Sequence, residues 1–278
     1  MDMSRDIVAI KEWLAKEPHL PQDIEDLMIR KFLHCCYGSL ERTKKCIDRF
    51  CSTRSTMSEL YTSRDPTSPK MQTAFAITCV TAYKAGEQEL LIHRIDDPNL
   101  EKFNFYDVMK SFCIQADCWL KDSQFFPDGQ TIIFDMKDIT LKIIAKVNVM
   151  YFRDFLLFLL EGMPVRVQHV HVVNCPSYYE KLYALIKPVL PAEICNIINF
   201  HSGAEDLHNF IDKKYLPKEY GGEAEPMSHQ QNYWISKILE ERKIFLNDDM
   251  WKADLKKKPK NNSTENSMSG SFKTLSID

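Results

Sequence analysis

The chain has 278 residues, 44% hydrophobic and 27% charged, with a formal net charge of −3. These values are ordinary for a globular protein and suit one medium domain plus a smaller one. They exclude any overall electrostatic attraction to nucleic acid or anionic lipid, so such a contact would need a local patch.

Met1 to Asp6 lead directly into an amphipathic pattern without the long apolar core of a signal peptide. The most hydrophobic stretch, Val147 to Leu160, is interrupted by Arg153 and Asp154. It falls short of the roughly 20 apolar residues that span a bilayer. A soluble, cytoplasmic protein is expected. The nine cysteines cannot all pair within one chain. Cys35 and Cys36 are adjacent, and Cys46 and Cys51 follow at no zinc or redox spacing. They read as reduced thiols acting as small apolar residues, with no metal and no cofactor.

The first part reads as helical. Ser4 can cap a helix carrying Ile7, Ile10 and Leu14, which Pro18 and Pro21 then break. A second helix is predicted from about Asp23 to Cys36, with Ile24, Met28 and Phe32 on one face and Gly38 as a left-handed stop. Ser39 can cap a third, through Leu40, Thr43, Ile47 and Phe50. Residues 1–72 thus form a small helical domain plus a Pro/Ser-rich connector from Thr62 to Gln72.

Residues 73–251 alternate between strands and helices. Glu89 to Ile95 is a strand candidate. Asn104 can cap a helix through Phe105, Met109, Phe112, Ala116 and Trp119. Thr131 to Asp135 is a near-continuous apolar run, as in a strand buried on both faces. One helix then carries Ile144, Val147, Tyr151, Phe155 and Phe158, and Gly162 and Pro164 stop it. Val167 to Val173 is a strand, and Asn174 starts a helix to about Lys187. Asn196 to His201 is a strand, followed by a short helix to Lys214. This alternation argues for an α/β fold with crossover units and a mostly parallel sheet. Residues 252–278, with Lys256-Lys257-Lys258-Pro259-Lys260 and then a Ser/Asn-rich run, read as a mobile tail.

No catalytic signature stands out. There is no GxSxG elbow, no GxxxxGK[ST] loop and no GxGxxG. His169 and His171 share a strand face, with His201 as a possible third ligand, but hydrogen-bonded structural histidines are the stronger reading. Asp135 and Asp138 read as turn or cap residues. No catalytic residue is assigned. In the segment from Tyr178, the residues Tyr179, Leu182, Ile186 and Val189 line one helix face, with Tyr183 and Leu190 beside it.

An ordered set of motifs resembles the CRAL-TRIO family. It begins with Ile29-Arg30-Lys31-Phe32-Leu33, Ser39-Leu40-Glu41-Arg42-Thr43-Lys44 and Arg54. It continues through Ile132-Ile133-Phe134-Asp135, Met163-Pro164-Val165-Arg166 and His171-Val172-Val173-Asn174-Cys175-Pro176. Lys187-Pro188-Val189-Leu190 and Leu216-Pro217-Lys218-Glu219-Tyr220-Gly221-Gly222-Glu223 complete it. The tail Gly270-Ser271-Phe272-Lys273 is similar to the end of the family's insect branch. Two places depart from the pattern: His34-Cys35-Cys36 and Pro191-Ala192-Glu193 stand where many members carry basic residues.

The resemblance implies a helical N-terminal domain beside an α/β domain whose sheet floors a lipid pocket. A gate helix, Tyr178 to about Ile194 here, would close it, bent at Pro188. It implies intracellular binding and transfer, between membranes, of a small hydrophobic lipid such as a tocopherol, retinoid or carotenoid. The alternative is a phosphoinositide-binding adaptor of the same fold. The expected pocket lining is Phe134, Phe155, Leu159, Val172, Leu182, Tyr183, Ile186, Val189, Leu190, Ile194 and Ile198. Lys181, Lys187, Lys213 and Lys214 would face a membrane or a phosphoinositide. A monomer is expected, with transient membrane contact and no nucleic acid partner.

Overall fold

The computed structural model describes residues 3–99, 101–190 and 192–259. Four helices open the chain: α1 (Ser4–Leu14), α2 (Asp26–Cys35), α3 (Leu40–Thr56) and α4 (Ser58–Tyr61). Their apolar spacing works as read, burying Ile7, Ile10, Leu14, Met28, Phe32, Ile47 and Phe50 together. Ser4 sits inside the first turn of α1, and the N-cap position falls on Met3, whose side chain makes no cap bond. Gly38 takes φ 75° and ends α2. Ser39 caps α3, its hydroxyl accepting the Arg42 N–H at 3.4 Å.

The α/β part contains α5 (Pro69–Ile77), β1 (Thr78–Ala85), β2 (Gln88–Ile95), α6 (Phe105–Asp122), β3 (Gly129–Asp135), α7 (Leu141–Ile144), α8 (Val149–Glu161), β4 (Val167–Val173), α9 (Tyr179–Ile186), α10 (Ala192–Ile197), β5 (Ile198–Phe200), α11 (Met227–Glu240) and α12 (Arg242–Phe245). The single helix expected before Gly162 is two. Asn148 restarts the chain as α8 by accepting the Tyr151 N–H at 3.1 Å. The segment after β5 forms short 3-10 turns at Ala204–Asn209, Lys213–Tyr215 and Lys218–Tyr220 in place of one helix. The part of the expected tail beyond Pro259 lies outside the described residues.

The five strands run in the order β1-β2-β3-β4-β5. β1 and β2 are antiparallel; β2 to β5 are parallel. Parallel strands laid down in chain order, with right-handed crossovers, put every connecting helix on the same face. Ring contacts agree: Phe112 of α6 lies over His93 of β2, and Tyr183 of α9 lies over Phe200 of β5. The opposite face has no crossover helix. It is closed by the turns after β5, where Leu207, Leu216 and Tyr220 pack on Cys79, Leu90, Ile92, Ile133 and Val173. His171 and His201 also lie on this face, joined Nδ1 to Nε2 at 2.9 Å. Burial pushes the His171 pKa down to about 4, so the ring is neutral near pH 7.

Helix α11 protects the β1 edge. Gln231 accepts the Val80 N–H at 3.1 Å and donates to the Thr78 carbonyl at 2.9 Å. Two of the edge strand's free backbone groups are thus satisfied within the chain.

Candidate functional site

The helix-covered face of the sheet carries two cross-strand rows. The register aligns Leu91, Ile132, Val170 and Ile198 in one, and His93, Phe134, Val172 and Phe200 in the other. Seven of these eight side chains keep partial solvent access, Val170 alone being buried. On the opposite face, Ile92, Ile133 and Val173 are at 0% exposure. Side chains at the centre of a sheet, beneath helices, retain access only where they border open space. This half-open, largely apolar face beneath the helices is the candidate cleft for a small molecule.

Aromatic rings continue from this face into the core and onto the segment over β5. Phe112 and Phe155 meet edge to face at 5.6 Å, and Phe155 continues to Phe158 at 6.2 Å. Tyr179 stacks on Phe200 at 5.1 Å, with Tyr183 at 4.8 Å. Helix α9 stops at Ile186, and Lys187–Val189 form a 3-10 turn containing Pro188. The chain resumes as α10, so the segment over β5 is a broken, two-piece element.

The structure brings together Phe134, Val172 and Ile198 on the sheet and Tyr183 above them. Ile186 and Leu190 are half-buried on the broken segment, and Ile194 is buried. Phe155 is closed into the core, and Leu159 packs against that core. The side chains of Leu182 and Val189 lie outside the described residues. The four lysines are exposed but not together. Lys181 and Lys187 belong to the segment over β5. Lys213 and Lys214 sit on a turn packed against β1, at the other edge of the sheet. Lys214 also pairs with Asp212 at 3.1 Å.

Asp135 serves the scaffold. It accepts hydrogen bonds from the Lys137 N–H, the Asn174 amide and the Tyr220 hydroxyl, at 2.9, 2.8 and 2.9 Å. Sequence reasoning missed three arrangements. Asp117 receives Arg54 and Arg64 in a buried triad, and no local spacing announces it. The thiols of Cys35, Cys36 and Cys46 come within 4.8 Å of one another. His93 is a polar residue at an apolar strand position, between Leu91 and Ile95. That break in alternation was the available signal.

The model of the CRAL/TRIO domain matches residues 77–222, and that of the Pinta-like UBA domain matches residues 1–71. The chain belongs to the CRAL-TRIO family. Among relatives, human alpha-tocopherol transfer protein-like is 24% identical over 223 residues, covering 79% of this chain and 65% of its own length. Human clavesin-2 is 25% identical over 140 residues, 50% of this chain and 42% of its own length. The solved structure of Sfh5 superposes with a TM-score of 0.53 at 14% identity, covering 86% of this chain and 94% of that one. It supports the CRAL-TRIO fold. The chain spans just under two thirds of the length of the alpha-tocopherol transfer protein-like relative. Among the described residues, no helix is long and apolar enough to cross a membrane.

Proposed function

We propose that this protein is a non-enzymatic cytoplasmic carrier, acting as a monomer, that holds one small hydrophobic lipid in the cleft and moves it between membranes. The observation that carries this reading is the half-covered apolar face of β2 to β5. Shielding an apolar ligand stabilises it by about 25 cal/mol per Å² of buried surface, so some 400 Å² gives roughly 10 kcal/mol before ordering costs. No reactive group is required. Tocopherols, retinoids and carotenoids are the candidate classes. The lining comprises Phe134, Val172, Tyr183, Ile186, Leu190 and Ile198, with Leu182 and Val189 proposed alongside them and Phe155, Leu159 and Ile194 as their backing. The deciding experiment is mass spectrometry of an organic extract of the protein purified from its native cells. One apolar species at near-stoichiometric amount is expected. A phosphoinositide in its place would move the protein to the adaptor reading, and an extract free of lipid would count against a resident ligand.

The broken segment α9 to α10 is the proposed gate, with Lys181 and Lys187 as its membrane contacts. Neither lysine forms an ion pair among the described residues, and each charge near an anionic surface contributes about 1 kcal/mol. Lys181→Glu with Lys187→Glu should weaken binding to phosphatidylserine vesicles by about tenfold or more. Lys213→Glu with Lys214→Glu, at the far edge of the sheet, should change it much less. Co-sedimentation measures both, and equal effects would remove the gate from the membrane-facing side.

A further inference from the structure

His93 is the one histidine inside the protein without a hydrogen-bond partner among the described residues. His19 reaches Asp48 at 3.4 Å, His34 the Pro127 carbonyl at 2.7 Å, and His208 the Tyr220 carbonyl at 2.8 Å. His171 and His201 bond to each other. His169 and His229 are exposed to water. His93 instead lies on the cleft face of β2, between the rings of Phe134 and Phe112, each at 5.0 Å. Burial pushes its pKa down to about 4. The ring is therefore neutral near pH 7, with one nitrogen a donor and the other an acceptor. A polar group in apolar surroundings is costly without a partner, and the cleft's own walls supply none.

The geometry points to His93 as the residue that holds the polar end of the bound lipid, a hydroxyl or carbonyl on an otherwise apolar molecule. This rests on the carrier reading and narrows it. A neutral imidazole can accept from a hydroxyl or donate to a hydroxyl or carbonyl oxygen. A pure hydrocarbon leaves it unpaired. An anionic head would have to bring a proton into an apolar site to form an ion pair. The ligand class is thus a lipid alcohol, aldehyde or ketone. A cleft that hydrogen-bonds a ligand hydroxyl discriminates against the analogue lacking it, because the imidazole then gives up its access to water and gains no partner.

The test uses phytol and phytane, which share a branched C20 chain and differ by the hydroxyl and one double bond. Protein is incubated with both in equal amounts, isolated by gel filtration, and its organic extract quantified. The wild type should take up phytol over phytane by about tenfold or more. His93→Phe should bring the ratio close to one while still taking up phytane. His93→Gln, which keeps a donor and an acceptor, should retain most of the preference. His93→Leu replaces the Phe variant should that one fail to fold, as judged by circular dichroism. Equal uptake by the wild type, or an unchanged ratio in the apolar variants, overturns the role of His93 and leaves the carrier reading standing. No uptake of either molecule by the wild type overturns the carrier reading together with this one.

Discussion

Asp117→Ala should lower stability by about 3–5 kcal/mol, a large part of the roughly 5–15 kcal/mol that holds a typical fold. Arg54 from α3 and Arg64 from the loop after α4 both donate to the Asp117 carboxylate on α6, the Arg54 Nη1 contact being 2.9 Å. All three are buried, at 0, 1 and 1% exposure. Arg54 also lies over the Tyr61 ring at 4.0 Å and the Phe50 ring at 4.8 Å. Burial pushes the Asp117 carboxyl up, but the two guanidinium groups outweigh it and hold the pKa below the usual range. That contribution is present above the unfolded value near pH 4 and fades as pH falls through the lower folded value. Removing the carboxylate strands two cations in the interior. Thermal unfolding should show a fall of about 10 °C. Replacing the triad together, as Arg54→Met, Arg64→Met and Asp117→Leu, should cost less than Asp117→Ala, because no charge is stranded. A shift below about 2 °C for Asp117→Ala would show that water reaches the triad.

Val172→Asp and Val173→Asp should fail in opposite ways, although the residues are neighbours on β4. Val173 is at 0% exposure on the closed face, packed with Ile133 and Leu90. A carboxyl there has no partner and no water, and its cost of several kcal/mol falls on folding. Val172 points into the cleft between Phe134 and Phe200. A carboxylate there is solvated while the cleft is empty and loses its water when a lipid enters. Its empty form should melt within a few degrees of wild type, while phytol uptake should drop by about a hundredfold, the equivalent of some 3 kcal/mol. Paired melting and uptake measurements decide it. Equal losses of stability in the two variants would make Val172 ordinary core and abolish the cleft.

Much of this arrangement is legible in the sequence where a residue marks a boundary. Asn104 caps α6 as expected, accepting the Asp107 N–H at 3.1 Å, and Gly38 and Ser39 separate α2 from α3. Where such marks are missing the reading fails. Helix α5 runs into β1 between Ile77 and Thr78 without a glycine or proline, so β1 went unseen. The passage from α10 to β5 is just as abrupt, and β5 keeps only Ile198–Phe200 of the longer strand expected. The helix after β5 breaks into turns because its apolar residues must lie flat on a sheet face, with Leu207 and Leu216 both at 0% exposure. The sheet side of the site was partly legible, since strand alternation assigns Phe134 and Val172 to one side. Whether the facing side is protein or empty space depends on helices distant in sequence, which no local pattern records. Phe155 shows this: it has the same character as Phe134 but is closed into the core at 3% exposure.

The one-sided placement of the crossover helices gives the sheet two differently constrained faces. Residues on the closed face answer only to folding, through a tightly fitted set that admits little change. In the carrier reading proposed above, residues on the other face answer to a guest molecule and stand apart from that fitted set. A new cargo thus needs changes at alternate strand positions and in the helices above, while the intervening positions stay fixed. The alternation of a β-strand, one side chain up and the next one down, becomes the unit by which such a carrier can acquire a different ligand.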